Sequence, residues 1–522
     1  LQGTAADLPT RLGERIASEA VRGPTTLDWL TAALPLRAHP GVLGPLVDVL
    51  SLRPGLDGVC HGNACLMPWQ MITTGLFAAR EATPYIPKMR LGFAIATVRA
   101  TLDAGGGAEL DGLTRITSES LLIDAGGKPR ELRRMRARKA RANAALVARA
   151  ERAAEAFVLE AQRRDGTYRY ELNAYANTAT LDNPSIPRHA GTTLVLCELG
   201  STRPEVEATI RRALQAQARY ARRWDDRAAL TYRRGQRVAG LGDSALGMIA
   251  FTACRARAGA AHDALIGELA RFLIGMQRPD GSFRPGRDLR RGRDREGPTP
   301  IFAGGQAIMA LTQLEEIMKA LPPEQHAPFP PLPEVHAAVE RAMDHVAGDY
   351  WPSPLRDFFF LKENWHCLAA RAALRSHRHD GYERFCIDYA SYKARLLLGP
   401  DDDVDLELEG GYGFGNIVPP HTGSSGGLGE AIGAAIALRV ARDEDASAER
   451  ARLERILTFL VRQQAQPELC FACMSPAATG WFSGFMVGPT GRIDHIQHPW
   501  SALGHGAHAL GWREHPPLGS SR

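Results

Sequence analysis

Histidines recur at one kind of position in this sequence, at or just before the start of segments composed almost entirely of small and apolar residues. An imidazole changes charge near neutral pH and is the side chain most often used to move protons in catalysis. If these segments are helices whose starts converge, their histidines form one acid–base site. The histidines at these positions, five of the 16 in the chain, are His189, His366, His421, His495 and His498.

Other polar side chains at the same positions complete the candidate site. Two carboxyl groups with different pKa values can protonate a leaving oxygen of a sugar and activate water. Alternatively, a histidine or tyrosine can remove a proton beside a substrate carboxylate that an arginine neutralises. The predicted catalytic residues are Arg188, His189, Asp243, Glu363, His366, Asp494 and His495. The predicted substrate-binding residues, several of which can stack on sugar rings, are Tyr175, Trp365, His421, Tyr412 and Trp500.

A metal ion is the alternative use of the histidines. His495 and His498 are three residues apart, so on a helix they share one face of a single turn. Neutral imidazoles from separate helix ends suit zinc or copper. The cofactor prediction is therefore a possible divalent metal ion bound by His495 and His498.

Several candidates also have a purely structural interpretation. Arg188 and His189 could cap and fix the start of an apolar helix. His366, next to Cys367, could be a buried histidine with its hydrogen bonds satisfied. Asp243 follows a glycine and could accept hydrogen bonds from free N–H groups at a helix start.

Glu430 is a carboxylic acid in the middle of a run of small residues, 426–437 (GGLGEAIGAAIA). A carboxylate among such residues must be paired, hydrated or protonated. We therefore expect Glu430 to face a central cavity or to be neutralised by a partner. His505 and His508, deeper in a Gly/Ala-rich segment, are predicted to be packing residues.

The elements that must position these residues repeat along the chain. Residues 272–283 (FLIGMQRPDGSF) contain an aromatic and an aliphatic residue, then Gln, Asp-Gly and a closing aromatic. Residues 157–168 (FVLEAQRRDGTY) repeat this pattern, and 459–464 (FLVRQQ) repeat its first half. A recurring helix end with a glycine and an anchoring aromatic predicts a repeat architecture.

Beyond about residue 137 the pattern predicts six pairs of helices. The first member of each pair has one charged face, whereas the second is apolar on all sides, as expected for an outer and an inner ring. This predicts an (α/α)6 toroid of six helical hairpins. The predicted pairs are 140–162 with 190–199, 204–224 with 244–255, 261–277 with 304–320, 333–347 with 364–376, 382–398 with 426–442, and 446–464 with 499–512.

The repeated unit resembles that of the terpenoid cyclase and protein prenyltransferase toroids. The count of six pairs is equally similar to six-hairpin glycosidases, polysaccharide lyases and sugar epimerases. The resemblance covers residues 137–522 and implies the toroid, with an active site at the mouth formed by the inner-helix starts. The Asp-x-Asp-Asp pattern of class II terpene cyclases is absent, and 401–405 (DDDVD) is its nearest approach. The segment 494–500 (DHIQHPW) resembles prenyltransferases, but their zinc-binding Asp-x-Cys is not found.

The first part of the chain lacks this pattern. Residues 1–135 mix short apolar runs with Pro and Gly, and 115–124 alternate as a strand does. We predict a small mixed α/β domain over 1–135, followed by the toroid over 136–522. The fold class is therefore mainly α, with a small mixed α/β domain preceding the toroid.

Composition limits the partners. The chain has 522 residues, a formal charge of +5, 44% hydrophobic and 23% charged residues. These values are ordinary for a globular protein, and the mild positive charge fits an anionic substrate but does not indicate nucleic acid. No apolar run reaches the ~18 residues of a membrane span. The basic segments 130–141 and 284–295 are predicted to be solvated, or, for the second, to hold an anionic chain at the rim.

The eight cysteines are too few for a disulfide scaffold. Cys60 with Cys65 and Cys470 with Cys473 could form disulfides, which would favour an exported protein, and with His61 they could hold zinc. The cysteines predicted to be small core residues are Cys197, Cys254, Cys367 and Cys386. Since the chain begins at Leu1 without a basic-then-apolar leader, we expect a removed targeting segment or a trimmed chain.

These features predict an enzyme that acts by acid–base chemistry on a carbohydrate, most consistently an acidic polysaccharide, by hydrolysis, elimination or epimerisation. The first alternative is a terpenoid cyclase-like or prenyltransferase-like enzyme, whose cavity would be lined by apolar side chains. The second is a toroid that binds a glycan or peptide without catalysis.

Overall fold

A computed structural model gives the architecture. It describes residues 25–35, 57–73, 77–82, 86–93, 95–104, 112–123, 129–131, 141–173, 178–180, 185–233, 235–349, 363–402, 406–413, 420–465, 478–484 and 490–513. Tyr175, Cys470 and Cys473 lie outside these ranges. Within them, no helix has the length and apolar character needed to cross a bilayer.

The described residues before 132 form strands and two short helices. The elements are β1 (Thr25–Pro35), β2 (Asp57–His61), β3 (Ala64–Leu66), α1 (Pro68–Thr73), β4 (Phe77–Ala82), β5 (Ile86–Phe93), α2 (Ile95–Thr101), β6 (Leu113–Ile123) and β7 (Pro129–Glu131). Antiparallel pairing gives a sheet in the order β1-β6-β2-β3, with β7 on β6, and a separate β4-β5 hairpin. Val59, Met71 and Ile116 are buried there. The predicted mixed α/β character is confirmed, and the domain boundary near residue 135 stays a prediction.

The rest of the described chain is built on twelve α-helices, in chain order. They are α3 (Ala144–Ala161), α4 (Ile186–Leu199), α5 (Pro204–Ala218), α6 (Leu241–Ala258), α7 (Asp263–Met276), α8 (Ala303–Ala320), α9 (Leu332–Asp349), α10 (Trp365–Ala373), α11 (Asp380–Lys393), α12 (Thr422–Val440), α13 (Ser447–Gln463) and α14 (Asp494–Ala509).

These helices form two concentric rings. Each even-numbered helix from α4 to α14 packs on the next even-numbered one, and α14 packs back on α4, so the inner ring closes. The odd-numbered helices lie outside, each against the inner ring. In α12, for example, 15 of the 19 residues are buried, because neighbours surround an inner helix on all sides. The protein is an (α/α)6 toroid, as predicted.

The repeated glutamine joins successive outer helices. Each of three glutamines follows an outer helix, and its Nε2 donates to a main-chain carbonyl of the next outer helix. The bonds run from Gln162 to Thr209 at 2.9 Å, from Gln277 to Ala338 at 2.8 Å and from Gln464 to Ala150 at 2.8 Å. Because Ala150 lies in α3, the last repeat closes on the first helix.

A glycine completes the same joint. It adopts a positive φ, and a Cβ there would overlap a main-chain carbonyl of the next outer helix, so no other residue fits. An antiparallel bridge then brings an aromatic back to the helix end. The glycines and the residues whose carbonyls they contact are Gly166 and Arg212, Gly281 and Arg341, Gly410 and Arg455, and Gly480 and Ala153.

The connections at the two ends of the ring differ in length. The connections that lead into inner helices are long, namely 162–185, 219–240, 277–302, 350–364, 394–421 and 464–493. Those that leave inner helices are mostly short, namely 200–203, 259–262, 321–331, 374–379 and 441–446. We call the end with the long connections the mouth. Its strands are β8 (Glu171–Asn173), β9 (Thr178–Thr180), β10 (Ala221–Trp224), β11 (Arg227–Leu230), β12 (Val238–Gly240), β13 (Gly286–Asp288), β14 (Arg293–Asp294) and β15 (Thr490–Arg492).

Three disulfides lie in the described residues. One joins Cys60 to Cys65 across β2 and β3, as the sequence allowed. The four helical cysteines are buried in the core, as predicted, but they are also paired, Cys197 with Cys254 and Cys367 with Cys386. The sequence hid these pairs because each joins two helices that meet only when the rings form. Disulfides are typical of oxidising compartments, so they are compatible with the predicted export.

Candidate functional site at the mouth of the toroid

Close helix packing brings two side chains to the centre of the mouth. A Cβ at Gly426 of α12 would lie 2.6 Å from the main chain of His498, so this glycine lets α14 approach closely. A Cβ at Gly305 of α8 would lie 2.6 Å from the nitrogen of His366 and 2.8 Å from the Cβ of Trp365. The small residues of the inner helices thus set the positions of His498 and Trp365.

His498 is held by a buried carboxylate. Its Nδ1 lies 2.8 Å from Oε2 of Glu430, and the same oxygen accepts a hydrogen bond from Nδ2 of Asn364 at 2.7 Å. Because an ionised carboxylate only accepts, Nδ1 of His498 carries the proton and Nε2 keeps its lone pair. The side chain of Glu430 is 2% exposed and that of His498 is 18% exposed. The pair can therefore act as a general base whose tautomer is fixed.

A small axial cavity of about 10 Å³ lies beside this pair, lined by residues of five of the six inner helices. Trp365 and Glu430 line it, and both also contact His498, the tryptophan with ring centroids 6.2 Å apart. Burial lowers the pKa of Arg371 in the wall, although the charges of Glu198 and Glu430 oppose this. The cavity has further polar lining from Gln497 and Ser501.

A pair of imidazoles lies next to the His498–Glu430 pair. The rings of His421 and His495 meet edge to face with centroids 4.7 Å apart, beside Gly484. Nδ1 of His495 accepts a hydrogen bond from the main-chain nitrogen of Arg492 at 3.3 Å, so its proton is on Nε2. Within the described part of the chain, this buried Nε2 has no hydrogen-bond partner. Burial lowers the pKa of His495 to about 4, and the positive charges of Arg492 and Arg188 act in the same direction, so the ring is neutral at pH 7.

Asp494 joins two arginines at the starts of α4 and α14. Its Oδ2 lies 3.1 Å from Nε of Arg188 and 3.0 Å from Nη2 of Arg492. Burial alone would raise the pKa of Asp494, but His495 and the two guanidinium groups hold it well below its usual range. Arg188 also donates to the hydroxyl of Tyr232 at 3.0 Å. Because two cations share one anion, the cluster keeps an excess positive charge.

Glu363 and His366 are brought to the start of α10, where they serve the fold. The two oxygens of Glu363 accept from the main-chain nitrogens of Trp365 at 3.0 Å and His366 at 3.1 Å, so this carboxylate caps the helix. Nδ1 of His366 lies 2.9 Å from the hydroxyl of Tyr382, and burial lowers its pKa to about 3.

His189 and Asp243 also have contacts within the scaffold. Nε2 of His189 lies 2.9 Å from the carbonyl of Ala213 in the outer helix α5, and burial lowers its pKa to about 4. Burial raises the pKa of Asp243 to about 6, against a hydrogen bond from the main-chain N–H of Gly240. Gly240 is the residue before α6, so Asp243 caps that helix from within its first turn.

The predicted substrate-binding aromatics separate into two groups. Trp365 lines the axial cavity, as described above. Tyr412 and Trp500 are 2% and 0% exposed and belong to the core. Tyr412 is the closing aromatic of a repeat, bridged to Leu397, and His421 accepts through Nδ1 from the nitrogen of Ser424 as the N-cap of α12.

His495 and His498, the predicted metal ligands, lie in two different environments. Their Nδ1 atoms have different partners, Arg492 and Glu430. No group of three potential metal ligands in the described residues includes either histidine. The possible metal at this site stays a prediction.

Sequence reasoning missed some residues that the structure singles out. His498 was counted among the converging histidines but given a specific role only as a metal ligand, and Glu430 was expected to face a cavity or to be neutralised by a partner that the sequence did not name. Lys393 of α11 is fully buried beside the hydroxyl of Tyr412, and burial lowers its pKa from 10.5 to about 7. An acid in a Gly/Ala helix is a usable signal, whereas a lysine in an amphipathic outer helix gives none.

Comparisons with known proteins leave the family open. No family model and no curated protein sequence matches the chain. Among solved structures, it is similar to cellobiose 2-epimerase from Spirochaeta thermophila DSM 6192, with 14% identity over 70% of this chain and 96% of that one, at a TM-score of 0.49. An unsaturated glucuronyl hydrolase specific for heparin matches with 11% identity over 70% and 97%, at 0.45. A type II terpene cyclase from Scytonema matches with 13% identity over 70% and 99%, at 0.42.

Proposed function

We propose that this protein is an enzyme that removes a proton from a carbon of a sugar at the mouth of the toroid, leading to epimerisation or elimination. The observation that carries the proposal is the base His498, fixed by Glu430 and placed beside Trp365 and the axial cavity. A carboxylate that orients an imidazole sets its tautomer and stabilises the imidazolium formed on proton transfer.

Two further groups supply what such a reaction needs. Nε2 of His495 carries a proton and has no partner among the described residues, so it can donate to the carbonyl or carboxylate oxygen on which charge develops. A neutral imidazole is a suitable donor because it polarises the oxygen without protonating it fully. The excess positive charge of the Arg188, Arg492 and Asp494 cluster favours a uronic acid or another anionic sugar.

Hydrolysis by two carboxyl groups receives less support from the same residues. That mechanism needs one carboxyl as an acid and another as a base or nucleophile. Asp494 is paired with two arginines, Glu363 caps α10, and Glu430 binds Asn364 and His498. The histidines are better placed to move protons than the carboxyl groups. The charged side chains of the cavity likewise favour a polar substrate over an isoprenoid.

The test is solvent proton exchange. The purified chain is incubated in D2O with a panel of neutral reducing sugars and uronic acid oligosaccharides, and NMR records deuterium on carbon while ultraviolet absorbance records an unsaturated product. We expect exchange or elimination with at least one member, and a loss of about 10²-fold or more in His498→Gln. His508→Gln is the matched control, because this exposed histidine lies on the same helix α14.

Two results would overturn the proposal. One is the absence of exchange and elimination with every sugar, combined with measurable sugar binding, which would favour a binding protein. The other is turnover that is equal in His498→Gln and wild type.

A further inference from the structure

We propose a second, separate site at the end of the ring opposite the mouth, where Glu315, His336 and His377 bind a divalent transition metal ion, best satisfied by Zn²⁺. The three residues come from different elements. Glu315 lies near the end of inner helix α8, His336 near the start of outer helix α9, and His377 in the connection from α10 to α11. One ligand atom from each lies within 4.8 Å of the other two.

The distances suit one shared ion. Nδ1 of His336 lies 2.8 Å from Oε1 of Glu315 and 3.1 Å from Nδ1 of His377. Tetrahedral zinc with bonds of about 2.0 Å to nitrogen and oxygen sets its ligand atoms about 3.3 Å apart. A small outward movement of the two rings is enough to admit the ion. Two imidazoles and one carboxylate also form a ligand set that zinc uses in proteins, with the fourth position left to water.

Hydrogen bonding alone does not satisfy these atoms. Nδ1 of a neutral imidazole either donates a proton or accepts one, in a single direction. Nδ1 of His336 has two neighbours, the carboxylate of Glu315 and Nδ1 of His377. If it carries a proton, that one N–H is shared between the carboxylate and Nδ1 of His377. If it carries none, it can accept from His377 but offers no donor to the carboxylate. Oε2 of Glu315, in a fully buried side chain, has no hydrogen-bond partner among the described residues. A cation placed between the three groups accepts all of these lone pairs at once.

Lys319 competes with the ion. Its Nζ lies 2.7 Å from Oε1 of Glu315 and donates to the carbonyl of Ser376 at 2.6 Å. The side chain of Lys319 is 41% exposed, so it can leave Glu315 for solvent when the ion enters. Removing the ammonium group should therefore strengthen metal binding, which is a prediction that a purely structural salt bridge does not make.

The bound ion would join α8, α9 and the connection that follows α10. The three ligands lie at the end opposite the mouth, so the ion is expected to stabilise the ring without contacting substrate. Because the ion takes no part in the proposed reaction, this proposal and the one for His498 can fail independently of each other.

The experiment uses the purified full chain, stripped with a chelator and titrated with zinc chloride by calorimetry, followed by metal analysis after desalting. We expect one tightly bound equivalent and a higher melting temperature with zinc. His336→Gln and His377→Gln should each weaken binding by about tenfold or more. Lys319→Met should strengthen it, and His508→Gln should leave it unchanged.

A spectroscopic measurement keeps the test decisive if a variant is unstable. Cobalt chloride added to the stripped wild-type chain should give the absorption of a tetrahedral site, and zinc should remove it. The proposal is overturned if no stoichiometric metal is taken up, or if uptake is the same in His336→Gln and His377→Gln as in wild type.

Discussion

The two ends of the ring use the same helices but satisfy their polar groups differently. At the end opposite the mouth, charges near the short connections are paired, as in Arg255 with Asp263 at 2.9 Å and Arg442 with Glu444 at 3.1 Å. At the mouth, Nε2 of His495 and Oδ1 of Asn364 are buried without a hydrogen-bond partner in the described residues. An unpaired buried polar atom costs free energy, so it persists where a ligand can satisfy it.

The contrast explains why one end suits chemistry. The glutamine and glycine repeat joins successive outer helices at the mouth and leaves the long connections free to vary. Side chains at the inner-helix starts are held rigidly, and loops around them can adapt to a substrate. At the opposite end, Oε2 of Glu315 and Oγ of Ser376 are also buried without a hydrogen-bond partner in the described residues. We assign the Glu315, His336 and His377 cluster there to a metal ion.

The largest expected effect is found by substituting one carboxylate at each end of the ring and comparing the two variants. Glu430→Gln removes the negative charge that fixes the proton on Nδ1 of His498 and stabilises its imidazolium, so we expect turnover to fall by about 10²-fold or more, with the acidic limb of the pH–rate profile, which reports the base, displaced. Glu315→Gln, a matched change in an inner helix at the other end, should leave turnover unchanged. Equal effects of the two substitutions on turnover, measured on the same sugar, would remove the distinction between the ends.

The pH dependence of stability is the next largest effect. Burial lowers the pKa of His189, His366 and His495 from 6.5 to about 4, 3 and 4. Below pH 6.5 these imidazoles are protonated in the unfolded chain, whereas in the folded chain they stay neutral until the pH approaches their lowered pKa values. Stability is therefore complete above about pH 6.5 and is lost as the pH falls toward 4, with about 1.4 kcal/mol for each unit of pKa shift.

A single substitution isolates this contribution. His495→Asn keeps an acceptor but does not titrate, so urea unfolding between pH 4 and 7 should show a shallower loss of stability than wild type. His508→Asn, an exposed histidine of the same helix, should not change the slope. Asp243 changes stability with pH in the opposite direction, because burial raises its pKa to about 6. All three proteins contain Asp243, so its contribution cancels in the comparison. Equal slopes in the three proteins would mean that His495 is not the buried neutral group described above.

The fold could be predicted because its determinants are local. The Gln, Gly and closing aromatic recur at one short spacing in 157–168 and 272–283, so the unit is visible in the sequence although its contacts reach the next outer helix. The six-pair count and the all-apolar inner helices followed from the same period. The third copy was recognised only in part, because its Gly480 and Phe482 follow Gln464 after a longer insertion.

The site was harder to predict because its contacts join distant parts of the chain. Polar residues at inner-helix starts were expected at the mouth, and they are there. Whether each one faces the cavity or the scaffold depends on a few degrees of helix rotation, which sequence does not reveal. Thus His498 and Glu430, 68 residues apart, form the pair, whereas Glu363 and His189 bind main-chain groups. The disulfides of the inner helices were missed for the same reason.

The repeat glycine allows a smaller and sharper comparison of the ends. Gly281 at the mouth has φ +85° and contacts the carbonyl of Arg341, whereas Gly259 at the other end has φ +70° and open space around it. Gly281→Ala should lose the strain energy and the contact between outer helices, several kcal/mol in all, but Gly259→Ala only about 1 kcal/mol. Urea denaturation measures both, and similar losses would show that the joint contributes little to closing the ring.

The smallest expected effect tests whether Glu363 caps α10 or takes part in catalysis. Its carboxylate satisfies two main-chain N–H groups at the start of α10, so Glu363→Ala should lower the free energy of unfolding by about 2 kcal/mol. Turnover at a temperature well below the melting point should be retained, because both carboxylate oxygens accept hydrogen bonds from the main chain of α10. Asn143→Ala is the matched control, since Asn143 caps the outer helix α3 by accepting from Leu146, and it should cost about 1 kcal/mol. Unchanged stability together with lost turnover in Glu363→Ala would instead make Glu363 a catalytic carboxylate, and the acid–base assignment at the mouth would have to start from it rather than from His498.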